Sequence, residues 1–319
     1  MKLNALLLTV AAGILASSVM AVSSCYAATD KATAESDKKQ GGKTQEGGKA
    51  PEGGKAMEGE ARSQAQAAIT EQRKKIIDEA VSAIAETKNA LRALDEKKTQ
   101  EALAALERAS GKLNIVLARD PQLALAPIDV DVTVYDVYTT IDAIKKARKQ
   151  AEDYLEDGEV QKARLVIRDL ASEVVISVIN VPLQTYPAAI SAVAPLIDQG
   201  KIEEAKTALE AALNTLVAVD HVIALPILRA DVKLARAEEL AQKEGRSEED
   251  NKTLARLLTE AREQLKFGEV LGYGNKRDYK KFYAEIDEIE SKTKLGKAGK
   301  GFFDQMKAHL SEFKRSIFG

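Results

Sequence analysis

One cysteine, two histidines and no tryptophan stand in a chain of 319 residues. A lone cysteine, Cys25, excludes an intrachain disulfide and a multi-cysteine zinc site. The histidines, His221 and His309, are far apart, and neither has a neighbouring His or Cys that would build a ligand cluster. Aromatic residues make up 4% of the chain, too few for a base-stacking platform. Neither sign of charge dominates, with 47 Lys and Arg against 49 Asp and Glu, so the basic stripe that nucleic acid requires is missing. The signatures GxSxG, HExxH, CxxC and the P-loop are absent. Gly268 to Gly274 spells GxxxGxG, the wrong order for a dinucleotide loop, and reads as a turn. Asp129, Asp131 and Asp136 lie in or beside an alternating Val-rich run. They are not on the tight Gly-containing turn of a calcium loop, and they read as outward-facing strand acids. The sequence predicts no enzyme activity, no metal and no cofactor.

Long apolar runs are also scarce, and the one at the start reads as an export signal. Lys2 supplies a positive n-region and Ala5 to Ala16 an apolar h-region, followed by Ser17, Ser18, Ser23 and Ser24. Residues 1–27 are expected to be a signal peptide cut after Ala27, with Val19-Met20-Ala21 as another acceptable site. The alternative treats Val22-Ser23-Ser24-Cys25 as a lipobox, which makes Cys25 the lipidated first residue of an envelope scaffold lipoprotein. Either route leads to the periplasm. Residues 28–61 carry GGK at 41–43, 47–49 and 53–55 and almost no large apolar side chains. Such a segment cannot offset its ordering entropy, so a disordered Gly/Lys-rich tether is expected. Residues 62–319 are expected to form a helical domain.

Within that domain one helical hairpin occurs three times. Its copies read Leu94…Ala102…Leu106, Leu155…Ala163…Ile167 and Ile197…Ala205…Leu209, joined by the turns DEKKTQE, EDGEVQK and DQGKIEE. The Ala marks the place where two antiparallel helices cross closely. Gly158 and Gly200 sit just past helix ends, where a left-handed residue is easiest for glycine; Lys97 stands at the equivalent place in the first copy, so a different closure is expected there. Ile69, Ile76, Ile77, Ala80, Ile84, Leu91 and Leu94 form the stripe of one helix in front of the first turn.

Each hairpin is followed by an apolar run containing proline. Val130, Val132 and Val134 alternate with Asp131 and Thr133, which is strand periodicity, and the runs at 175–183 and 222–228 are β-branched and suited to pair with it. The fold class expected is mainly α, with repeated antiparallel helical hairpins in a bundle and a small β-ribbon. Ser247 to Asp250 reads as a cap opening a helix to about Lys266. The last helix carries Phe302, Phe303, Met306, Leu310, Phe313 and Ile317 on one face, among residues with a net positive charge. That face is expected to dock on its own bundle or a second subunit, with a membrane surface as the competing reading.

The runs ALDEKKTQEALAALERASGKLNIVLARDPQLALAPIDVDVTVYD, AEDYLEDGEVQKARLVIRDLASEVVISVINVPLQTYPAAI and LIDQGKIEEAKTALEAALNTLVAVDHVIALPILRA resemble the YfdX family of bacterial proteins over about residues 75 to 290. The resemblance implies a periplasmic, mostly helical protein associated with heat and acid stress, and it brings no catalytic residues. The expected function is stress protection by binding, holdase-like, with protein clients as partners and a homo-oligomeric state. A small-molecule-binding module is the second reading, with Tyr135, Tyr138 and Tyr186 as the residues expected to face the ligand. A membrane partner is expected only through a lipidated Cys25 or the last helix.

Overall fold

A computed structural model of the protein describes residues 52–317. The expected signal peptide, Cys25 and the tether up to residue 51 lie outside the described residues. Helix α1 (Glu52–Arg73) leads to a first hairpin, α2 (Asp78–Asp95) and α3 (Thr99–Arg119), and then strand β1 (Leu125–Asp136). The second hairpin, α4 (Ile141–Glu156) and α5 (Val160–Asp169), feeds β2 (Ser172–Pro182). In the third, the short helices α6 (Tyr186–Ser191) and α7 (Ala194–Asp198) stand where a single helix does in the others. They are followed by α8 (Ile202–Leu213) and β3 (Val217–Ala224). Four helices follow: α9 (Leu225–Gln242), α10 (Glu248–Leu271), α11 (Lys276–Thr293) and α12 (Asp304–Ser316). The fold is mainly α with one small antiparallel sheet, and each hairpin delivers one strand to it in the order β1-β2-β3.

The three hairpin turns close alike. Lys97, Gly158 and Gly200 have φ of 62°, 74° and 73°. The next backbone N–H in each turn reaches back five residues: Lys98 to Ala93, Glu159 to Tyr154 and Lys201 to Leu196, at 2.8, 2.7 and 2.9 Å. Lys97 therefore does not close its turn differently. The bonds gained by satisfying the helix-end carbonyls outweigh its left-handed strain. The crossing alanines Ala102, Ala163 and Ala205 are fully buried.

The first and third hairpins bury their apolar faces on each other. Helix α2 packs on α8, and α3 packs on α6 and α7, so the first arm of each hairpin meets the second arm of the other. Leu94, Leu106, Ile197 and Leu209 share one buried cluster, and Lys206 bridges to Asp95 at 2.7 Å. The second hairpin stands apart from this pair. It attaches through Ile144, which clusters with Phe267 and Val270 of α10, and through Arg148, whose Nη1 donates to the Val270 carbonyl at 2.9 Å.

One face of the sheet is covered. Val130, Val174, Ile176 and Val178 pack with Ala61, Ala65 and Ile69 of α1 and with Leu225, Leu228 and Val232. On the other face Asp129 and Asp131 are exposed, opposite Ile179 and Ser177. Pro127 sits at the register shift of β1 and Pro182 at the end of β2, where a missing N–H does no harm to the ladder.

Three helix boundaries differ from expectation. The stripe from Ile69 to Leu94 is two helices, because the chain breaks after Arg73 and the Ile77 N–H donates to the Pro127 carbonyl at 2.9 Å, tying the joint to β1. The tether boundary at residue 61 falls inside α1, whose Ala61 is buried against the sheet. Helix α10 opens on the Ser247–Asp250 capping box, as expected, but runs on to Leu271 and stops at Gly272, φ 96°.

Helices α9 to α12 form a second core with Leu234, Leu257, Leu265, Tyr279, Phe282 and Ile286 at its centre. Phe303, Met306, Leu310 and Phe313 are buried in it, while Phe302 and Ile317 pack partly buried at its edge. Phe302 and Phe303 precede α12 rather than lying within it. Among the described residues no helix is long and apolar enough to cross a membrane.

Candidate functional site

The joint between α1 and α2 opens a groove of about 560 Å3, bounded also by the end of α3 and the start of β1. Ile76, Ile77, Val116, Leu123, Leu125 and Pro127 supply its apolar surface, and Lys75, Asp78, Glu79, Arg119 and Asp120 its charged rim. The break after Arg73 creates the groove, since a continuous helix would carry Ile76 and Ile77 past β1. Arg119 pairs with Glu79 across the rim. Hydrogen bonds from its own backbone N–H and from Arg119 hold the Glu79 carboxyl below its usual range. An apolar floor with a paired, mixed-charge rim suits an extended or amphipathic segment rather than a single charged ligand.

A polar network closes the end of the sheet near α10. The Tyr273 hydroxyl accepts from the Ser172 N–H and donates to Glu173 Oε2, both at 2.8 Å. Ser172 Oγ donates to Asp136 Oδ1 at 2.7 Å, and Arg229 Nη2 donates to Asp136 Oδ2 at 2.8 Å. Gly272 and Gly274, both left-handed, flank Tyr273 and turn it toward the sheet. The Tyr279 hydroxyl donates to the Tyr273 carbonyl at 2.5 Å. It lies so close to Gly268 that a Cβ there would sit 2.9 Å from the oxygen. This is what the glycine cluster does: it seats two tyrosines. Burial pushes the hydroxyls of Tyr273 and Tyr279 well above their ordinary pKa, so they stay protonated donors. Ser172 is buried and faces an aspartate with no histidine between them, so the arrangement lacks the base that activates a serine nucleophile.

The tyrosines singled out in the sequence are not brought together. Tyr186 is fully buried among the first and third hairpins, where burial raises its hydroxyl pKa. Tyr135 is half-buried on β1 opposite Glu173, and Tyr138 packs against Ile144, Phe267 and Val270. His221 is exposed on β3, opposite Ile176. His309 contacts Oε1 of the buried Glu285 through its Nδ1, beside a cavity of about 130 Å3. Among the described residues no three His, Cys, Asp or Glu side chains gather as a metal site. Neither the groove nor the tyrosine network corresponds to a recognisable sequence motif. The break at Lys74–Lys75 and the GYG at 272–274 were their only signals.

Hairpins that each deliver a strand to one antiparallel sheet define a mainly helical repeat protein. Residues 83–222, from α2 to β3, match the family model described as YfdX protein, and that segment is the YfdX-like part of the chain. The match is shorter than the resemblance read from sequence and leaves α1 and all of α9 to α12 outside it. A solved structure of Salmonella Typhi YfdX is similar at 18% identity and a TM-score of 0.33, covering 47% of this chain and 93% of that one. No curated protein matches.

Proposed function

We propose that the protein is a non-enzymatic periplasmic stress-protection protein that acts by binding, as a holdase for unfolding clients under heat or acid. The observation that carries this reading is the groove between Ile76–Ile77 and Leu123–Pro127, an apolar floor under a mixed-charge rim, open enough for an extended client segment. The YfdX-like segment and the apolar signal-like start of the chain support the setting. The small-molecule reading is weaker, because Tyr135, Tyr138 and Tyr186 lie in separate surroundings. Light scattering of a heat-denatured client tests the proposal. Suppression of aggregation at stoichiometric ratio is expected, and Leu123→Glu should reduce it at a temperature where circular dichroism shows the variant still folded. No suppression by the wild-type chain at that ratio would sink the holdase reading.

A further inference from the structure

The three hairpins share a pattern but not a fate. At the position before the turn, Leu94 and Ile197 are 1% and 4% exposed, whereas Leu155 is 50% exposed. Twelve residues on, Leu106 and Leu209 are buried, whereas Ile167 is 49% exposed. Val160 is 55% exposed, while its counterpart Ile202 packs against the shared core of hairpins one and three. The second hairpin thus keeps the apolar face of its relatives and, among the described residues, leaves it uncovered.

The chain contains its own template for covering such a face. Hairpins one and three pack reciprocally, first arm on second arm, and Lys206 of the second arm bridges to Asp95 at the end of the opposing first arm. In the second hairpin the residue equivalent to Lys206 is Arg164 and the residue equivalent to Asp95 is Glu156. One face therefore carries both halves of the bridge. A surface whose cation and acid stand at complementary ends of the two arms is self-complementary under a two-fold rotation, the requirement for an isologous contact. We infer that the second hairpin is a homodimer interface. In it Leu155, Val160 and Ile167 of two copies bury one another, and Arg164 of each copy pairs with Glu156 of the other. A client polypeptide would have no need of that charge placement, which favours a second copy as the occupant.

Sedimentation equilibrium and light-scattering mass of the purified full chain at micromolar concentration test this. A dimer is expected. Ile167→Asp should yield a monomer with an unchanged far-ultraviolet circular-dichroism spectrum, since the side chain is half exposed within one copy. Glu156→Arg sets two cations against each other and should weaken the dimer at least ~10-fold, and the double variant E156R/R164E should restore it. The double variant keeps the test decisive if Ile167→Asp fails to fold. A monomeric wild type, or an oligomer whose dissociation constant ignores both Ile167→Asp and Glu156→Arg, overturns the inference. The groove variant Leu123→Glu leaves the dimer intact, so failure of the holdase reading and failure of this one are separable.

Discussion

Lys97 and Gly158 close equivalent turns with the same left-handed backbone, φ 62° and 74°. A non-glycine residue held there is strained by about 1–2 kcal/mol. Lys97→Gly should therefore stabilise the chain by about 1 kcal/mol, less the extra entropy that glycine gives the unfolded state. Gly158→Ala and Gly200→Ala should each destabilise by a similar amount of about 1 kcal/mol. A Cβ meets nothing within 4 Å at either glycine, so any loss is conformational rather than steric. Urea denaturation of the three variants checks the signs. A destabilised Lys97→Gly would mean that the lysine side chain supplies contacts that outweigh its strain.

The crossing alanines give a second measurement. Ala163 and Ala205 are fully buried between their helices. Ala163→Leu and Ala205→Leu should each lose about 1–3 kcal/mol through overpacking. Unchanged midpoints in both would mean that the hairpins part more easily than their packing implies.

Arg246 ties the long connector before α12 to the bundle. It is 8% exposed and donates to Asn251 Oδ1 and to the carbonyls of Leu240, Ala241, Thr293 and Lys297. No carboxylate stands among these acceptors, so the side chain works through its five-donor fork rather than through charge. Lysine keeps the charge and loses the fork. Arg246→Lys should lower stability by about 2–4 kcal/mol, the loss of two or more hydrogen bonds to a charged donor. Proteolysis between Lys294 and Lys300 should quicken as well, which a purely global loss would not localise.

Much of this architecture is legible in sequence because it is local. Spacing in the hairpins, alternation at Val130–Val134 and the Ser247 box report on neighbours in the chain, and all three appear as helix, strand and cap. What escaped depends on distant partners. The break before Asp78 exists because Ile77 bonds Pro127, and the GYG turn matters because Tyr273 reaches Ser172 and Glu173 about a hundred residues away. Tyr186 lies between Pro182 and Pro187 in a segment whose sequence does not show whether it faces a ligand or a core. Its full burial follows from the packing of the third hairpin on the first, which no periodicity reveals.

The buried tyrosines set an alkaline limit. Burial raises the pKa of Tyr273 and Tyr279 in the folded chain above their unfolded value of about 10. The neutral forms are favoured by folding, so their contribution is fully present below pH about 10. It is lost as pH rises from there toward the folded values, because the unfolded state releases protons that the folded state retains. Stability should fall above pH 10 by up to about 1.4 kcal/mol per pH unit for each such group. Tyr279→Phe should flatten that slope by one proton, although it lowers stability near neutrality by removing the bond to the Tyr273 carbonyl. Denaturation curves between pH 9 and 11 decide it, and an identical slope in wild type and variant would refute the assignment.

Phe313 is the test of the last helix. Its ring meets Tyr279 and Phe282 edge-on, with centroids at 5.4 and 5.3 Å, and covers Gly274 so closely that a Cβ there would collide with it. Lys314 bridges to Asp231 and Lys307 to Glu238, both on α9, so part of the basic face is also engaged within the chain. A helix that inserts into a lipid surface would have to surrender these contacts. Phe313→Ala should lose about 3–5 kcal/mol, as for a phenylalanine removed from a packed core. Gly274→Ala should be destabilising as well, because its φ of 73° and the Phe313 ring both oppose a side chain. The wild-type chain should not bind anionic vesicles through this helix, since its apolar face is already used. Binding abolished by truncation after Gly301, with the melting temperature unchanged, would reverse that conclusion and assign the helix to a membrane surface.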